Sequence, residues 1–352
     1  MKRGIPKITL LKLLKRRDSS HIVGFKKTPI FIHAEGHTPH HTYYRTTPIS
    51  LLHKNLPAII LIMIKVLIKA MRPRQWIKNF LIFAALVFDQ QLTHVDPLLR
   101  TIAGFILLCL GSSTVYLIND LADLEQDRKH PVKRHRPIAA GELSVSAART
   151  AAVAFFVLSV GAGFALRPTY GAVLLGYMLL NLLYSFWLKH IPIIDVLVLA
   201  TGFVLRVASG VVLITVQRFS PWLYMCTTLL ALFIGFGKRR AEMVLLADDA
   251  NSHRRVLDGY TIPFLDQLMV IVSGTTIVAY SLYTFSAENL PDNNLMMLTI
   301  PFVLYGIFRY LHLVNVENAG GAPEEIVLTD WPLLVTFILW GLTAVAILYF
   351  GT

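Results

Sequence analysis

The most concentrated group of chemically useful side chains is an acidic segment in the first half of the chain. Asn119, Asp123 and Asp127 recur every four residues, and Asp120 lies three residues before Asp123. On a helix that continued through the segment, side chains four residues apart would lie on one face. Carboxylate and amide oxygens suit Mg²⁺, which takes one or two carboxylates and shares its other positions with water and phosphate oxygens. The segment therefore predicts a magnesium site, with a solvated helix end of alternating charge as the alternative.

A cationic loop follows the acidic segment at once. It carries Lys133, Arg134 and Arg136 between Pro131 and Pro137. A carboxylate-bound metal beside a rigid cationic loop matches the needs of a pyrophosphate leaving group. The metal would bridge the oxygens, and the cations would neutralise the charge that develops as the group departs. Lysine alone binds phosphate in many settings, so the prediction depends on the pairing of the acidic segment with the loop.

Three further polar segments could close a cavity around that pair. MRPRQWIKN contributes Lys78, YSFWLKHIPIID contributes Lys189 and Asp195, and GKRRAE contributes Lys238. Arg206 stands inside an apolar stretch, on the same predicted helix face as Asp195. A charged side chain is costly there and usually marks a functional site. A structural pairing of Arg206 with a buried carboxylate is the alternative.

The elements that must position these side chains are membrane helices. Apolar residues make up 55% of the 352 residues, and Asp, Glu, Lys and Arg only 15%, against about 25% charged residues in ordinary soluble domains. Several stretches of about 20 residues are long enough to cross a bilayer core as helices, which satisfy their own backbone hydrogen bonds in lipid. The composition excludes a disordered chain and an ordinary soluble enzyme. It predicts an all-α, polytopic membrane protein.

Nine spans are expected, preceded by an interfacial helix over 56–72. The expected spans are 77–94, 97–118, 143–166, 168–187, 191–214, 219–237, 262–287, 294–312 and 331–351. Loops rich in Lys and Arg alternate with loops that hold few, so that seventeen basic residues lie at one expected membrane face and three at the other. The positive-inside rule then places the N-terminus and the cationic loop in the cytoplasm.

Residues 1–57 are expected to form a separate basic, histidine-containing extension, followed by a membrane domain over 58–352. The extension accounts for +9 of the net charge of +12. The basicity of the chain therefore does not indicate a nucleic-acid-binding surface on the membrane domain. The extension is expected to be disordered or associated with an anionic lipid surface. A chain that begins at Met63 is expected to insert and work normally.

The acidic segment and its surroundings resemble a known family. Asn119-Asp120-Leu-Ala-Asp123-Leu-Glu-Gln-Asp127 matches the NDxxDxxxD motif of the UbiA superfamily of intramembrane prenyltransferases. Within it, the chain is most similar to the decaprenyl-phosphate phosphoribosyltransferases, through RPRQWIKN, VYLINDLADLEQDRKHPVKRHRPIAAG, YSFWLKHIPIID, GKRRAE and GAPEEIVLTD. The similarity runs from about Lys69 to the C-terminus and implies a UbiA-like helical bundle. In prenyltransferases the loop after the sixth span carries a second aspartate-rich motif, whereas here it begins with the cations of GKRRAE.

The resemblance implies the transfer of 5-phosphoribose from phosphoribosyl pyrophosphate to a polyprenyl phosphate, with release of pyrophosphate and dependence on Mg²⁺. The product would be a precursor of cell-envelope arabinose. Asp123, Lys133 and Arg206 are expected to be the catalytic residues. The resemblance implies metal binding by Asn119 and Asp123, and donor binding by Lys78, Tyr116 and Lys133. The lipid phosphate would be bound by Lys189 and Arg206. Asp120, Asp127, Arg136 and Lys238 would support the site, and binding of a second metal is the alternative role for Asp120 and Asp127.

Two other functions stay open. A UbiA-type prenyltransferase would use a prenyl diphosphate as donor, and a transporter would hold a polar site at the membrane midplane. Against a transporter, the charges gather at one membrane face and the NDxxD segment is not repeated in the second half. For an enzyme of this type, a bacterial-type plasma (inner) membrane with the active site facing the cytoplasm is expected, and a homo-oligomer is compatible with the sequence.

Overall fold

The computed structural model describes residues 61–214, 221–247, 255–288, 290–291, 293–317, 319 and 323–351. All regular elements within these ranges are helices, and no strand occurs among them. This confirms the expected all-α class. The expected extension over 1–57 lies outside the described residues, so its boundary and its role stay predictions.

Twelve α-helical segments are described. They are α1 (61–71), α2 (Ala84–Phe88), α3 (Val95–Ala122), α4 (Leu124–Lys129), α5 (Val145–Leu166), α6 (Pro168–Phe186), α7 (Ile194–Val211), α8 (Pro221–Ala247), α9 (Ile262–Ser286), α10 (Ile300–Asn315), α11 (Pro323–Thr329) and α12 (Trp331–Phe350). Shorter 3₁₀ segments connect them, namely Pro73–Phe83, Lys133–His135, Leu188–His190, Arg255–Gly259 and Leu295–Thr299.

Eight of the described helical segments are long and apolar enough to cross a membrane. They are α3, α5, α6, α7, α12, α9, the first 24 residues of α8, and the combined segment Leu295–Asn315. Each corresponds to one of the expected spans after the first. The chain is therefore an integral membrane protein built from helices.

The first expected span, 77–94, does not form one continuous helix. An eleven-residue 3₁₀ helix, Pro73–Phe83, leads into the five residues of α2, and runs of 3₁₀ helix longer than one turn are uncommon. Close packing accompanies this geometry: a Cβ atom on Gly210 of α7 would lie only 1.9 Å from the carbonyl oxygen of Ile82. The count of nine spans, and the orientation derived from it, stay predictions.

Short polar residues begin several helices where the chain leaves an apolar stretch. Ser144 accepts a hydrogen bond from the backbone of Ala147 at the start of α5, and Thr261 accepts one from Phe264 at the start of α9. Asp330 caps α12 in the same way through Leu333. Such caps satisfy backbone N–H groups that have no partner inside the helix, so these boundaries are specified locally.

Two large apolar clusters hold the helices together. The first gathers around Leu108, Tyr170 and Leu174, where α3 packs against α6. The second gathers around Phe233, Leu265 and other side chains of α8, α9 and α10. The polar segments singled out in the sequence lie where α3 and α6 end and α7 begins, and near the end of α8. The clusters therefore fix the helix ends that carry the candidate site.

Candidate active site

Arg136 links two of the motif aspartates at the end of α3. Asp120 Oδ1 accepts hydrogen bonds from Arg136 at 3.1 Å and from Arg72 at 2.5 Å. The same nitrogen of Arg136 donates to Asp127 Oδ2 at 2.6 Å. Both aspartates are buried, and the shared guanidinium holds them on one side of the motif. This geometry favours a supporting role for Asp127, whereas Asp120 keeps a second oxygen, Oδ2, that these bonds do not use.

The other two motif residues are more open. The Asp123 side chain is 32% exposed, and its Oδ1 lies 3.7 Å from Lys189 Nζ. Asn119 Oδ1 is buried and has no hydrogen-bond partner among the described residues, and the same holds for Asp120 Oδ2. Buried acceptors without a donor are rare in folded proteins and call for an explanation such as a bound ion. These oxygens fit a cation bound between them and the substrate.

The helix does not run through the acidic motif as the spacing predicted. α3 ends at Ala122, Asp123 adopts φ −92° and ψ 11°, and α4 begins at Leu124. The expected continuous α-helix is therefore interrupted at Asp123, although backbone hydrogen bonds from Asp123 to Asn119 at 2.9 Å and from Asp127 to Asp123 at 2.8 Å continue through the motif. Asp127 faces Arg136 together with Asp120, whereas Asp123 faces Lys189. The ion pairs of Arg136 with Asp120 and Asp127 span the break and are the physical reason for this division.

The composition of the site limits which metal it can hold. No three His, Cys, Asp or Glu residues within the described ranges lie close enough together to hold a metal ion on their own. A metal here would need the amide oxygen of Asn119 and oxygens from the substrate in addition to Asp123. That donor set fits Mg²⁺, which is commonly bound through few protein carboxylates and completed by phosphate oxygens.

The expected donor-binding residues Lys78, Tyr116 and Lys133 lie in three different elements. The guanidinium carbon of Arg72 lies 4.9 Å from the centre of the Tyr116 ring, a cation–π contact. Lys78 Nζ donates to Gln75 Oε1 at 2.7 Å and is half-buried. Lys133 is exposed at the start of the short 3₁₀ turn that follows α4. Of the three elements, α3 itself carries Tyr116, the loop after α4 carries Lys133, and the 3₁₀ helix Pro73–Phe83 carries Lys78.

His130 shapes the cationic loop. Its Nδ1 accepts backbone hydrogen bonds from Val132 at 3.1 Å and from Lys133 at 3.2 Å. Accepting these bonds requires an unprotonated Nδ1. The pKa of His130 is lowered from its ordinary value, first by burial and then by the charge of Lys133. Both effects favour the form that can fold the loop.

Near the end of α8, two of the three basic residues of GKRRAE form salt bridges with carboxylates. Arg239 Nε donates to the buried Asp195 at 2.6 Å, and its Nη1 donates to Glu242 at 2.5 Å. Arg240 Nε donates to Asp266 at 2.6 Å. Lys238 is half-buried and forms no ion pair with a described carboxylate. Of the three, Lys238 is thus the cation left available for a ligand.

Arg206 lies deeper than the other expected site residues. Its three nitrogens donate to Asn79 Oδ1 at 3.0 Å, the Gly202 carbonyl at 2.8 Å and the Tyr177 hydroxyl at 2.8 Å. Asn79 in turn donates to Ser112 of α3 at 3.2 Å, which lies about 10 Å along the helix before Asn119 at 1.5 Å per residue. The structure does not bring Arg206 together with the acidic motif. Its partners are neutral groups rather than the carboxylate considered from the sequence.

Three residues gain importance only from the structure. Arg72 belongs to the segment MRPRQWIKN, from which the sequence singled out only Lys78, and the structure shows Arg72 bonded to Asp120. Tyr177 receives the Arg206 guanidinium, and Tyr260 donates to Asp195 at 2.6 Å. Tyr177 lies in an apolar stretch, and Tyr260 follows the charged residues Arg254, Arg255 and Asp258 without belonging to a recognised motif, so the sequence singled out neither tyrosine.

Comparison with known proteins gives a consistent answer. The model of the UbiA prenyltransferase family matches residues 80–326. The chain is 35% identical over 297 residues to the decaprenyl-phosphate phosphoribosyltransferase of Corynebacterium glutamicum, covering 80% of this chain and 86% of that protein. It is 34% identical over 301 residues to the protein of the same name from Mycolicibacterium smegmatis, covering 81% and 93%.

The fold comparison agrees. A UbiA homologue from Archaeoglobus fulgidus, solved with GPP and Mg²⁺, superposes with a TM-score of 0.62 at 21% identity, covering 80% of this chain and 99% of that one. At 21% identity, the structural similarity supports a shared fold only. The family match spans most of the chain, and the curated relatives exceed 30% identity over most of their length. This chain belongs to the UbiA prenyltransferase family and, within it, to the decaprenyl-phosphate phosphoribosyltransferase group.

Proposed function

We propose that this protein transfers 5-phosphoribose from phosphoribosyl pyrophosphate to a decaprenyl-type polyprenyl phosphate and releases pyrophosphate. The relatives that cover most of the chain bear the name of this activity. The observation that carries the proposal is the pair of buried, unpartnered oxygens on Asn119 and Asp120 beside a group of cations. Oxygens of this kind can bind a metal cation, and the basic side chains around them can bind phosphate groups.

The donor occupies the open side of the acidic motif. Asn119 and Asp123 would hold Mg²⁺, which would neutralise charge on the pyrophosphate group. Lys133 and Lys78 approach the donor phosphates from two different segments, and Tyr116 borders its ribose. Arg136 and Arg72 act indirectly, because their bonds to Asp120 hold the end of α3 in place.

The acceptor approaches from the side of Lys189, which lies beside Asp123. Lys189 screens the repulsion between the lipid phosphate and the donor, with Lys238 in support. An oxygen of the lipid phosphate attacks the anomeric carbon, the bond from that carbon to pyrophosphate breaks, and the electron pair leaves with pyrophosphate. The attacking oxygen is already an anion, so no strong general base is needed. Positioning and charge neutralisation lower the barrier.

Arg206 has a positioning role in this proposal. Its three hydrogen bonds tie the 3₁₀ helix Pro73–Phe83, α6 and α7 together. That 3₁₀ helix also carries Lys78, so the buried arginine acts on the donor site through the segment it holds. The sequence-based assignment of Arg206 to the lipid phosphate is replaced here by this indirect role.

A direct assay tests the proposal. Purified protein in detergent is given labelled phosphoribosyl pyrophosphate and decaprenyl phosphate, with Mg²⁺ or with excess EDTA. We expect a labelled lipid product and free pyrophosphate only in the presence of Mg²⁺. Activity that persists in EDTA would remove the metal from the proposal.

The alternative is a prenyltransferase, which the match to the UbiA prenyltransferase family supports only in general terms. A parallel assay offers labelled prenyl diphosphate with an aromatic acceptor. A prenylated product, with no transfer of phosphoribose, would replace our proposal. We further propose that the site faces the cytoplasm of a bacterial inner membrane, because the cationic loop and Lys189 lie on the arginine- and lysine-rich side.

A further inference from the structure

The connection between α6 and α7 contains a strained turn. Ile193 adopts φ 69° and ψ −49°, and the backbone N–H of Ile194 donates to the Pro192 carbonyl at 2.8 Å. These values describe a γ-turn with positive φ, which is rare and strained. Positive φ is especially unfavourable for a β-branched residue. Strain of this kind persists only where surrounding contacts impose it, and such sites are often functional.

Tyr260, in the connection between α8 and α9, imposes the turn. Its hydroxyl oxygen accepts a hydrogen bond from the Ile193 backbone at 2.5 Å and donates one to Asp195 at 2.6 Å. Asp195 is fully buried and is also held by Arg239 at 2.6 Å. The tyrosine therefore links the strained residue to a charged pair that cannot move into solvent.

A second contact presses on the same turn. A Cβ atom on Gly259 would lie 2.2 Å from the Pro192 Cγ, so only glycine allows the two connections to pack this closely. The 3₁₀ turn Leu188–His190, which carries Lys189, also packs against the 3₁₀ turn Arg255–Gly259. The connection between α8 and α9 thus contacts the connection between α6 and α7 both at Pro192 and at the 3₁₀ turn Leu188–His190.

Lys189 is the side chain that this arrangement places. It lies four residues before Ile193 in the same short connection, and its Nζ is 3.7 Å from Asp123 Oδ1. We propose that Tyr260 is a positioning residue for the acceptor site: through the Ile193 turn, its hydroxyl fixes Lys189 beside Asp123. This rests on the proposed function, in which Lys189 meets the lipid phosphate. Tyr260 itself touches neither substrate.

The test is a double-mutant cycle between Tyr260→Phe and Lys189→Met. Removing the hydroxyl is expected to raise the KM for decaprenyl phosphate about tenfold, with the KM for phosphoribosyl pyrophosphate unchanged. In the Lys189→Met background, Tyr260→Phe is expected to change nothing further, because the side chain it positions is gone. Such non-additivity is the signature of two residues that act through one another.

The matched control is Tyr280→Phe. Tyr280 is also buried, and its hydroxyl bonds Thr299 at 2.6 Å and Trp340 at 2.7 Å, far along α9 from the site. The Tyr280→Phe variant is expected to have the same KM values for both substrates as the wild type. Gly259→Ala, which crowds Pro192 and leaves the Tyr260 hydroxyl in place, is expected to reproduce the selective rise in KM for the lipid.

Three outcomes would overturn the proposal. One is an unchanged KM for the lipid in Tyr260→Phe, the second is an effect that adds fully to that of Lys189→Met, and the third is loss of folding in both Tyr260→Phe and Gly259→Ala. The third would make the contact a requirement of the fold rather than a positioning device. A wild-type protein that transfers no phosphoribose would instead defeat the proposed function.

Discussion

The end of α3 and the end of α8 both gather aspartates and arginines, yet the two regions differ in what they leave unsatisfied. Near the end of α8, Asp195 and Arg239 are 0% and 1% exposed and are bonded to each other and to further partners. At the end of α3, buried oxygens of Asn119 and Asp120 have no described partner, and Asp123 is partly exposed. A closed cluster secures helices, whereas an open one can receive a ligand. Similar residue types thus stabilise helix packing near the end of α8, whereas at the end of α3 they leave groups that can bind a ligand.

Asp123→Asn tests the open cluster and has the largest expected effect on activity. Loss of the metal-binding carboxylate should lower kcat by about 10²–10³-fold, as removal of a group that stabilises transition-state charge commonly does. Initial rates at saturating Mg²⁺ measure it. Asp96→Asn is the matched control, because Asp96 pairs with Arg100 at the opposite end of α3 and is well exposed. Near-normal activity of Asp123→Asn with folding intact would show that the site lies elsewhere.

Asp195→Ala tests the closed cluster and should act on stability. Removing one partner of a buried ion pair costs about 3–5 kcal/mol, and the lower end of that range is expected here because Arg239 keeps Glu242 as a second carboxylate partner. Thermal unfolding in detergent measures the loss. Asp266→Ala provides the comparison, since Asp266 also pairs with an arginine but is 41% exposed, and its effect should be much smaller. Equal losses in both variants would contradict the expectation that a fully buried carboxylate contributes more stability than a partly exposed one.

Arg206→Lys tests whether the deep arginine is scaffold. A lysine cannot make the three directed bonds to Asn79, Gly202 and Tyr177 at once. We expect the free energy of unfolding to fall by about 1–3 kcal/mol. The lipid KM is measured on the folded fraction. A raised lipid KM at unchanged stability would restore the direct phosphate contact expected from the sequence.

The smallest expected effect concerns pH and the cationic loop. The pKa of His130 in the folded loop lies below its ordinary value, so neutral His130 stabilises the loop. That contribution is complete above about pH 6.5, the ordinary pKa of histidine, and is lost as the pH falls through the lowered folded value. The KM for phosphoribosyl pyrophosphate should therefore rise about twofold in that window, because His130 shapes the loop around Lys133.

His130→Asn separates this effect from the titration of the donor itself, because its amide oxygen accepts the same backbone bonds without titrating. The ratio of wild-type to variant KM, followed from pH 8 to pH 5.5, isolates the histidine. A constant ratio would show that His130 does not control donor binding.

Much of the membrane architecture could be predicted from the sequence. Apolar stretches such as 143–166 and 331–351 correspond to α5 and α12 within two residues, because backbone satisfaction in lipid leaves a long apolar segment little choice but a helix. The same logic failed at 77–94. There the departure from a single helix involves Asn79, Ile82 and Gly210, whose contacts come from distant parts of the chain.

The acidic motif and the cationic loop could be identified from residue types and spacing as a candidate site for a metal and a phosphate. Carboxylates beside cations do not by themselves specify a ligand, however, because Asp195 and Arg239 simply pair with each other. The sequence could not predict which oxygens of the motif remain without a hydrogen-bond partner. That depends on Arg136 closing around Asp120 and Asp127, on Arg72 reaching Asp120 from 48 residues away, and on Tyr260 holding the turn that precedes Asp195. Local sequence determines which groups can ionise, bind or form a helix. Only the packed helices decide which of those groups are satisfied by one another and which are left for a substrate, because hydrogen bonds and ion pairs between distant segments form only once the core has brought the segments together.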